Sequence, residues 1–309
     1  MHMKEIRQIG ISSCSSVNDF LDQAKHGAFA LGELGKAGDI VEEMLKEKAT
    51  IFFGFSGPLV AGGMRNIITE LIRKECINAV VTSGANIVHD LILAWGGKHY
   101  VLLNEESDAS LYDRGFGRIG KTVIKNREFV KFEKNIQRIL LGIDKKTREN
   151  ISIRELLTEI GKRVKDSDSF IRAAHEKKIP IFSPGIVDSM LGLQLWFFSQ
   201  ENKLVLNAIK DMKELADMVF SSKKSGAIIL GGGIPKHYIL GANLLRGGID
   251  YGVQITLDRG EGGSLSGARL EEGISWGKAK KRSRLATVIG DATLVFPLLA
   301  AKMAGSRDF

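Results

Sequence analysis

Thr50-Ile51-Phe52-Phe53-Gly54-Phe55 is a short, unbroken apolar run, and the pattern after it turns helical across residues 59–74. Such a run reads as a buried strand feeding a helix. The same alternation repeats along the chain. A strand at 77–82 precedes a helix at 87–95, with a further strand at 98–103. A helix at 169–177 leads into a strand at 179–183. Strand 226–230, helix 236–245 and strand 251–257 follow, and strand 286–289 runs into a helix that begins near Asp291. Strand alternating with helix predicts an α/β fold: a doubly wound, mostly parallel sheet with helices on both faces. Residues 105–150 are charged and less regular, and read as an excursion with short helices. We therefore expect a helical N-terminal extension over 1–48 and a single large domain over 49–309.

The composition bounds the function classes. Of 309 residues, 44% are hydrophobic and 26% charged, an ordinary soluble globular balance. There are 35 glycines and 5 prolines, which favours tight turns and close backbone approaches over a proline-rich linker. Cys14 and Cys76 have no metal-like spacing, so neither a disulfide framework nor a metal site is expected, and a reducing cytoplasm is the default. No basic segment followed by a long apolar run opens the sequence, and runs such as 79–81 and 227–230 are too short to cross a bilayer. The net charge of +8 is concentrated only at Lys278-Ala279-Lys280-Lys281-Arg282-Ser283-Arg284. A run of this kind is more often a solvated face than an anion site. With no zinc finger, RNA-recognition signature or basic stripe with interleaved aromatics, neither nucleic acid nor a membrane is an expected partner.

In doubly wound sheets ligands sit at the carboxyl ends of the strands, in loops that open toward helices. Four loops here have suitable chemistry: Thr82-Ser83-Gly84-Ala85-Asn86, Ser183-Pro184-Gly185-Ile186-Val187-Asp188, Gly231-Gly232-Gly233 and Ile289-Gly290-Asp291-Ala292. Gly231-Gly232-Gly233 lets a backbone approach a phosphate or ribose, although a tight strand-to-helix turn explains it equally well. It is not the G-x-G-x-x-G fingerprint. Arg259-Gly260-Glu261-Gly262-Gly263-Ser264-Leu265-Ser266-Gly267 is a second glycine-rich loop whose serines can donate to sugar or phosphate oxygens. Asp291 either caps the last helix or accepts from a ribose hydroxyl. Lys278 lies two residues after Trp276 and near Glu272. Desolvation against an indole, or a nearby cation, is what turns a lysine into a nucleophile. Most lysines are solvated, and a lone histidine such as His237 is more often structural than a base, so local chemistry alone does not select either residue.

The order of the C-terminal motifs does select them. Gly231-Gly232-Gly233-Ile234-Pro235-Lys236-His237, Gly263-Ser264-Leu265-Ser266-Gly267-Ala268-Arg269, Ser275-Trp276-Gly277-Lys278 and Gly290-Asp291-Ala292 occur in that sequence, and together they resemble the deoxyhypusine synthase family. The resemblance spans roughly residues 49–303, and is most specific after Gly226. It implies a Rossmann-like NAD-binding fold and a cytoplasmic homotetramer. It also implies NAD-dependent transfer of the aminobutyl group of spermidine, through an enzyme imine, to a lysine of a translation initiation factor. Carried over by motif, Lys278 is the Schiff-base nucleophile and His237 the proton-transfer residue. Trp276, Glu272, His89, Lys236 and Gly263 would bind the polyamine. Ser83, Gly84, Asp188, Gly231, Gly232, Gly233, Ser264, Ser266, Asp291 and Ala292 would hold NAD, and no metal is implied.

Several positions depart from the eukaryotic pattern of the family. His89 stands for an acidic residue facing the polyamine, Leu193 and Leu265 for aspartates, and Gln254 for a tyrosine. Pro58 replaces an asparagine, and the segment 257–261 lacks the usual Thr-Ala-Gln-Glu. His89 and Leu265 are similar to the archaeal branch. The same lysine chemistry also fits a homospermidine synthase-like enzyme with a free diamine as acceptor, and a non-catalytic NAD-binding relative is a third reading. The departures at His89, Leu193 and Gln254 keep the second reading open, whereas the intact Lys278 speaks against the third.

Overall fold

The computed structural model describes residues 5–306. Among the described residues there are nine strands: β1 (Thr50–Phe55), β2 (Ala79–Thr82), β3 (His99–Val101), β4 (Phe116–Ile119), β5 (Thr122–Lys125), β6 (Ile181–Phe182), β7 (Ser225–Leu230), β8 (Ile249–Thr256) and β9 (Ala279–Ile289). The chain divides into two compact units. The first runs to Ser56 and adds Glu70–Val81 and the residues from Met212 onward; the second comprises Gly57–Thr69 and Thr82–Asp211.

In the first unit the strands lie in the order β2-β1-β7-β8-β9. The pairings β1 with β7, β7 with β8 and β8 with β9 are all parallel. Side chains alternate across a strand, so the register shows which helix covers which face. Phe53 pairs with Ile228 and shares its face with Gly226. The Phe296 ring of helix Ala292–Gly305 stacks on Phe53 at 5.2 Å, and Met44 of helix Phe29–Lys46 packs against Gly226. Gly54, paired with Ile229, points the other way, toward Ile239 of helix Gly233–Asn243. Helices therefore cover both faces of a parallel sheet, as the alternation of the sequence predicts. Phe52, Phe53 and Phe55 are fully buried between them, and each contributes about 2–3 kcal/mol of apolar transfer.

The N-terminal helices Val17–Ala24 and Phe29–Lys46 belong to this same unit. From Ala279 onward the basic run forms the first half of β9, the edge strand, with Lys281, Arg282 and Arg284 exposed as a solvated face, Lys280 paired to Asp250 at 2.6 Å and Arg284 to Glu43. Charged side chains on an edge strand discourage edge-to-edge pairing with another sheet.

The second unit holds what the charged excursion concealed: a three-stranded antiparallel sheet in the order β3-β5-β4. The strand expected at 98–103 is thus not a member of the parallel sheet. Tyr100 and Val101 are exposed, unlike the fully buried residues of β2, and Thr122–Lys125 folds back to satisfy the strand's backbone groups. Helices Gly84–Ala94, Asn126–Leu141, Ile153–Gly161, Phe170–Lys177 and Met190–Glu201 also belong to this unit. Buried Asp90 anchors it, accepting from Arg65 at 2.7 Å, Ser169 at 2.5 Å and the Phe170 amide at 3.3 Å. Among the described residues, no helix is long and apolar enough to cross a membrane.

Candidate active site

In the first unit, the carboxyl ends of β7, β8 and β9 bring three of the predicted loops together. The Gly231 amide donates to Ile255 O at 2.7 Å, and the Gly290 amide to Thr256 O at 2.9 Å, so the loops after β7 and β9 flank the end of β8. The glycine loop and the Gly-Ser loop are in direct contact. A Cβ built on Gly232 would lie 2.4 Å from Ser266 Cα, so glycine at 232 is what permits the approach. Helix Gly233–Asn243 starts here with Gly232 as its N-cap and no side chain capping it. Its first amides and the positive end of its dipole are available to an anion.

Beneath the loops lies a pair that sequence reasoning did not assemble. Lys236 is 2% exposed, and its ammonium donates to Gln254 Oε1 at 3.0 Å, Leu265 O at 2.9 Å and Ala268 O. Gln254, fully buried in β8, donates from Nε2 to Gly231 O at 3.0 Å and Ser266 O at 2.8 Å. Burial pushes the Lys236 ammonium down to about 8; Glu272 and Glu271 pull it up, and the charge of Lys278 pushes it further down. The visible signal was a lone glutamine inside the apolar run of β8.

Lys278 immediately precedes β9, on a turn made by Gly277, whose φ of +68° is the left-handed conformation that favours glycine. The Lys278 amide donates to Gly273 O at 2.8 Å, and its carbonyl accepts from Ile249 at 3.0 Å. This fixes the backbone while the ammonium lies 5.7 Å from the centre of the Trp276 ring. Lys278 is half-buried and the indole 71% exposed, so this flat apolar face is open to a ligand. Glu272 is exposed, and its carboxylate accepts from the Arg269 amide at 3.3 Å. His237 is exposed on the first turns of its helix, one residue beyond Lys236. Gly263 and Ser264 are exposed; Ser264 Oγ accepts from the Gly267 amide at 3.1 Å. Asp291 caps its helix, accepting from the Thr293 amide and hydroxyl at 2.7 and 2.6 Å, bonds that hold its carboxyl below the usual range. Ala292 opens that helix.

Ser83, Gly84, Asp188 and His89 lie in the second unit. Their loops also meet: a Cβ on Gly84 would fall 2.4 Å from Ser189 Oγ, next to exposed Asp188. Buried Asn86 ties this turn together, donating to Gly57 O at 2.8 Å, Thr82 Oγ1 at 3.2 Å and Ser83 Oγ at 3.3 Å. His89 is 5% exposed, and its Nδ1 lies 2.9 Å from His99 Nε2. Burial, with His99 beside it, pushes His89 down to about 4, and burial also lowers His99. Above pH 6.5 folded and unfolded chains bind the same protons at His89. Between 6.5 and about 4 the unfolded chain binds more, so stability falls as pH falls. For His89 alone the expected loss is about 3 kcal/mol, read as a drop in urea unfolding free energy between pH 7 and 4. His89→Phe should flatten that limb; an unchanged limb would exclude the pair as its source.

The family model for deoxyhypusine synthase matches residues 19–303. The chain belongs to the deoxyhypusine synthase family. A "Probable deoxyhypusine synthase" of Methanothermobacter thermautotrophicus is 46% identical over 303 residues, covering 97% of this chain and 98% of the relative. One of the same name from Methanopyrus kandleri is 46% identical over 276 residues, covering 89% of each. A crystal structure of a candidate deoxyhypusine synthase from Entamoeba histolytica superimposes with a TM-score of 0.69 at 21% identity, covering 96% of each chain, and bears on the fold alone. The deoxyhypusine synthase motifs that follow Gly226 all fall in the first unit, where the loop contacts just described join the glycine loop to the Gly-Ser loop.

Proposed function

We propose that this family member makes deoxyhypusine, with Lys278 as the nucleophile that carries the aminobutyl group between spermidine and a lysine of a translation initiation factor. The observation that carries the reading is Lys278 itself: a half-buried lysine, fixed by its own backbone bonds beside an open indole face. The uncapped helix start at Gly232, set against a Gly-Ser loop, suits the phosphates of NAD. Gly231, Gly232, Gly233, Ser264, Ser266, Asp291 and Ala292 would hold it, with Ser83, Gly84 and Asp188 assigned the same role by resemblance. The chemistry supplied by bound NAD is hydride acceptance from the carbon beside the secondary amine of spermidine, and later return of that hydride.

The Lys278 amine adds to the imine carbon of the oxidised substrate, a C–N bond forms, and 1,3-diaminopropane leaves. The aminobutyl group is then held as a Lys278 imine. Lys278 must add as the free amine, so it gives up its proton first, and His237 is the residue assigned to take and return protons. Trp276 lays an apolar face along the butyl carbons, and Glu272 offers a carboxylate to an ammonium end. The acceptor lysine displaces Lys278 by the same exchange. A homotetramer is the assembly the family suggests, measurable by light scattering.

Incubation with spermidine, NAD and the initiation factor, followed by mass spectrometry, tests the proposal. The expected result is an aminobutyl adduct on one lysine of the factor, and borohydride trapping on Lys278. Homospermidine formed from added putrescine, with no adduct on the factor, would replace the protein acceptor by a free diamine.

A further inference from the structure

We infer that Lys236 is a positioning residue and not a polyamine ligand: with Gln254 it forms a buried clamp that holds the Gly231–Gly233 and Leu265–Ala268 segments in one arrangement. The inference rests on the cofactor reading above for its functional consequence, but the clamp itself is a matter of counting hydrogen bonds. An ammonium has three protons. Those of Lys236 go to Gln254 Oε1, Leu265 O and Ala268 O. None is left for a substrate. Gln254 has two amide protons, and they go to Gly231 O and Ser266 O, while its oxygen accepts from Lys236. Two side chains thus link four backbone carbonyls from two loops with every donor used.

The pair is costly to bury. No carboxylate bonds the Lys236 ammonium within the clamp, and the nearest acidic charges, Glu271 and Glu272, act through space. A chain that needed only a filled core would be better served by apolar side chains. What the polar pair adds is direction: it draws the Gly231, Leu265, Ser266 and Ala268 carbonyls inward, and so sets the two loops in one arrangement at the start of helix Gly233–Asn243. Gly232 allows the loops to touch, and the clamp fixes where they touch.

Lys236→Met and Gln254→Leu separate positioning from substrate contact. Each is expected to weaken NAD binding about tenfold or more, the scale of one lost charge-assisted hydrogen bond. KM for NAD should rise while kcat at saturating NAD changes far less, and KM for spermidine should stay near the wild-type value. The double variant should lose less than the sum of the singles, because both remove one connection. Amide hydrogen exchange on the unliganded protein gives a readout independent of NAD. Protection at residues 231–233 and 265–268 should fall in both variants, with protection at β1 unchanged. If the wild type fails to bind NAD but the exchange result holds, the cofactor reading is wrong and the clamp stands. Unchanged exchange in the two loops, or a rise in spermidine KM with NAD affinity intact, overturns the clamp. Gln254→Leu leaves Lys236 with two of its acceptors, and so reports even if Lys236→Met does not fold.

Discussion

Lys278→Ala is expected to abolish the proposed aminobutyl transfer, with turnover reduced by about 10⁴-fold or more, the scale seen when a covalent nucleophile is removed. The alanine enzyme should still melt near the wild-type temperature. Lys278 is half-buried, its side chain contributes one cation–π contact with an exposed indole, and its backbone bonds to Gly273 and Ile249 survive the change. Lys278→Arg should be equally inactive, because a guanidinium stays protonated and cannot form an imine. Single-turnover mass spectrometry measures both variants. Retention of more than about a tenth of wild-type turnover by the alanine variant would move the covalent step to another group.

Gly232→Ala carries the second large effect, and here the cause is steric. The added carbon would sit 2.4 Å from Ser266 Cα and 2.8 Å from its Cβ, and the obstacle is backbone, which cannot swing aside. The loops must part, which stretches the bonds from Gln254 to Ser266 O and from Lys236 to Leu265 O. Overpacking of this kind costs about 1–3 kcal/mol, and a misplacement near 1 Å at a binding site costs on the order of 10² in rate or affinity. Gly262→Ala is the control: its Cβ would meet nothing within 4 Å, and a change within about 0.5 kcal/mol is expected. Chemical denaturation and NAD titration read both variants. Equal behaviour of the two would show that the loop contact does not shape the site.

Much of the fold was legible from local periodicity. Phe52-Phe53-Gly54-Phe55 and Ala227-Ile228-Ile229-Leu230 read as buried strands, and they pair residue for residue in the parallel sheet. The same reasoning misplaced residues 98–103, because a three-residue strand with two exposed side chains carries too little pattern to name its partner. It also left the antiparallel strands β4 and β5 unread inside a charged stretch, where four-residue strands are half-solvated. The motif places Lys236 beside His237, but it carries no sign of the three hydrogen-bond acceptors of Lys236, which lie 18, 29 and 32 residues away. The partner of His89 was equally hidden: His99, whose Nε2 lies 2.9 Å from His89 Nδ1, is ten residues away, on a strand too short to be placed by pattern.

The sequence by itself determined the alternation of strand and helix, the family, and which of many lysines stands in the Ser275-Trp276-Gly277-Lys278 motif, because each of these is written in spacing along the chain. The tertiary structure decided what surrounds those residues: the clamp under the glycine loop, the contact that Gly232 permits, the edge position of the basic run and the imidazole pair. Burial and hydrogen-bond satisfaction depend on groups that only folding brings within 3 Å of one another, and no local pattern encodes which carbonyl a buried ammonium will reach.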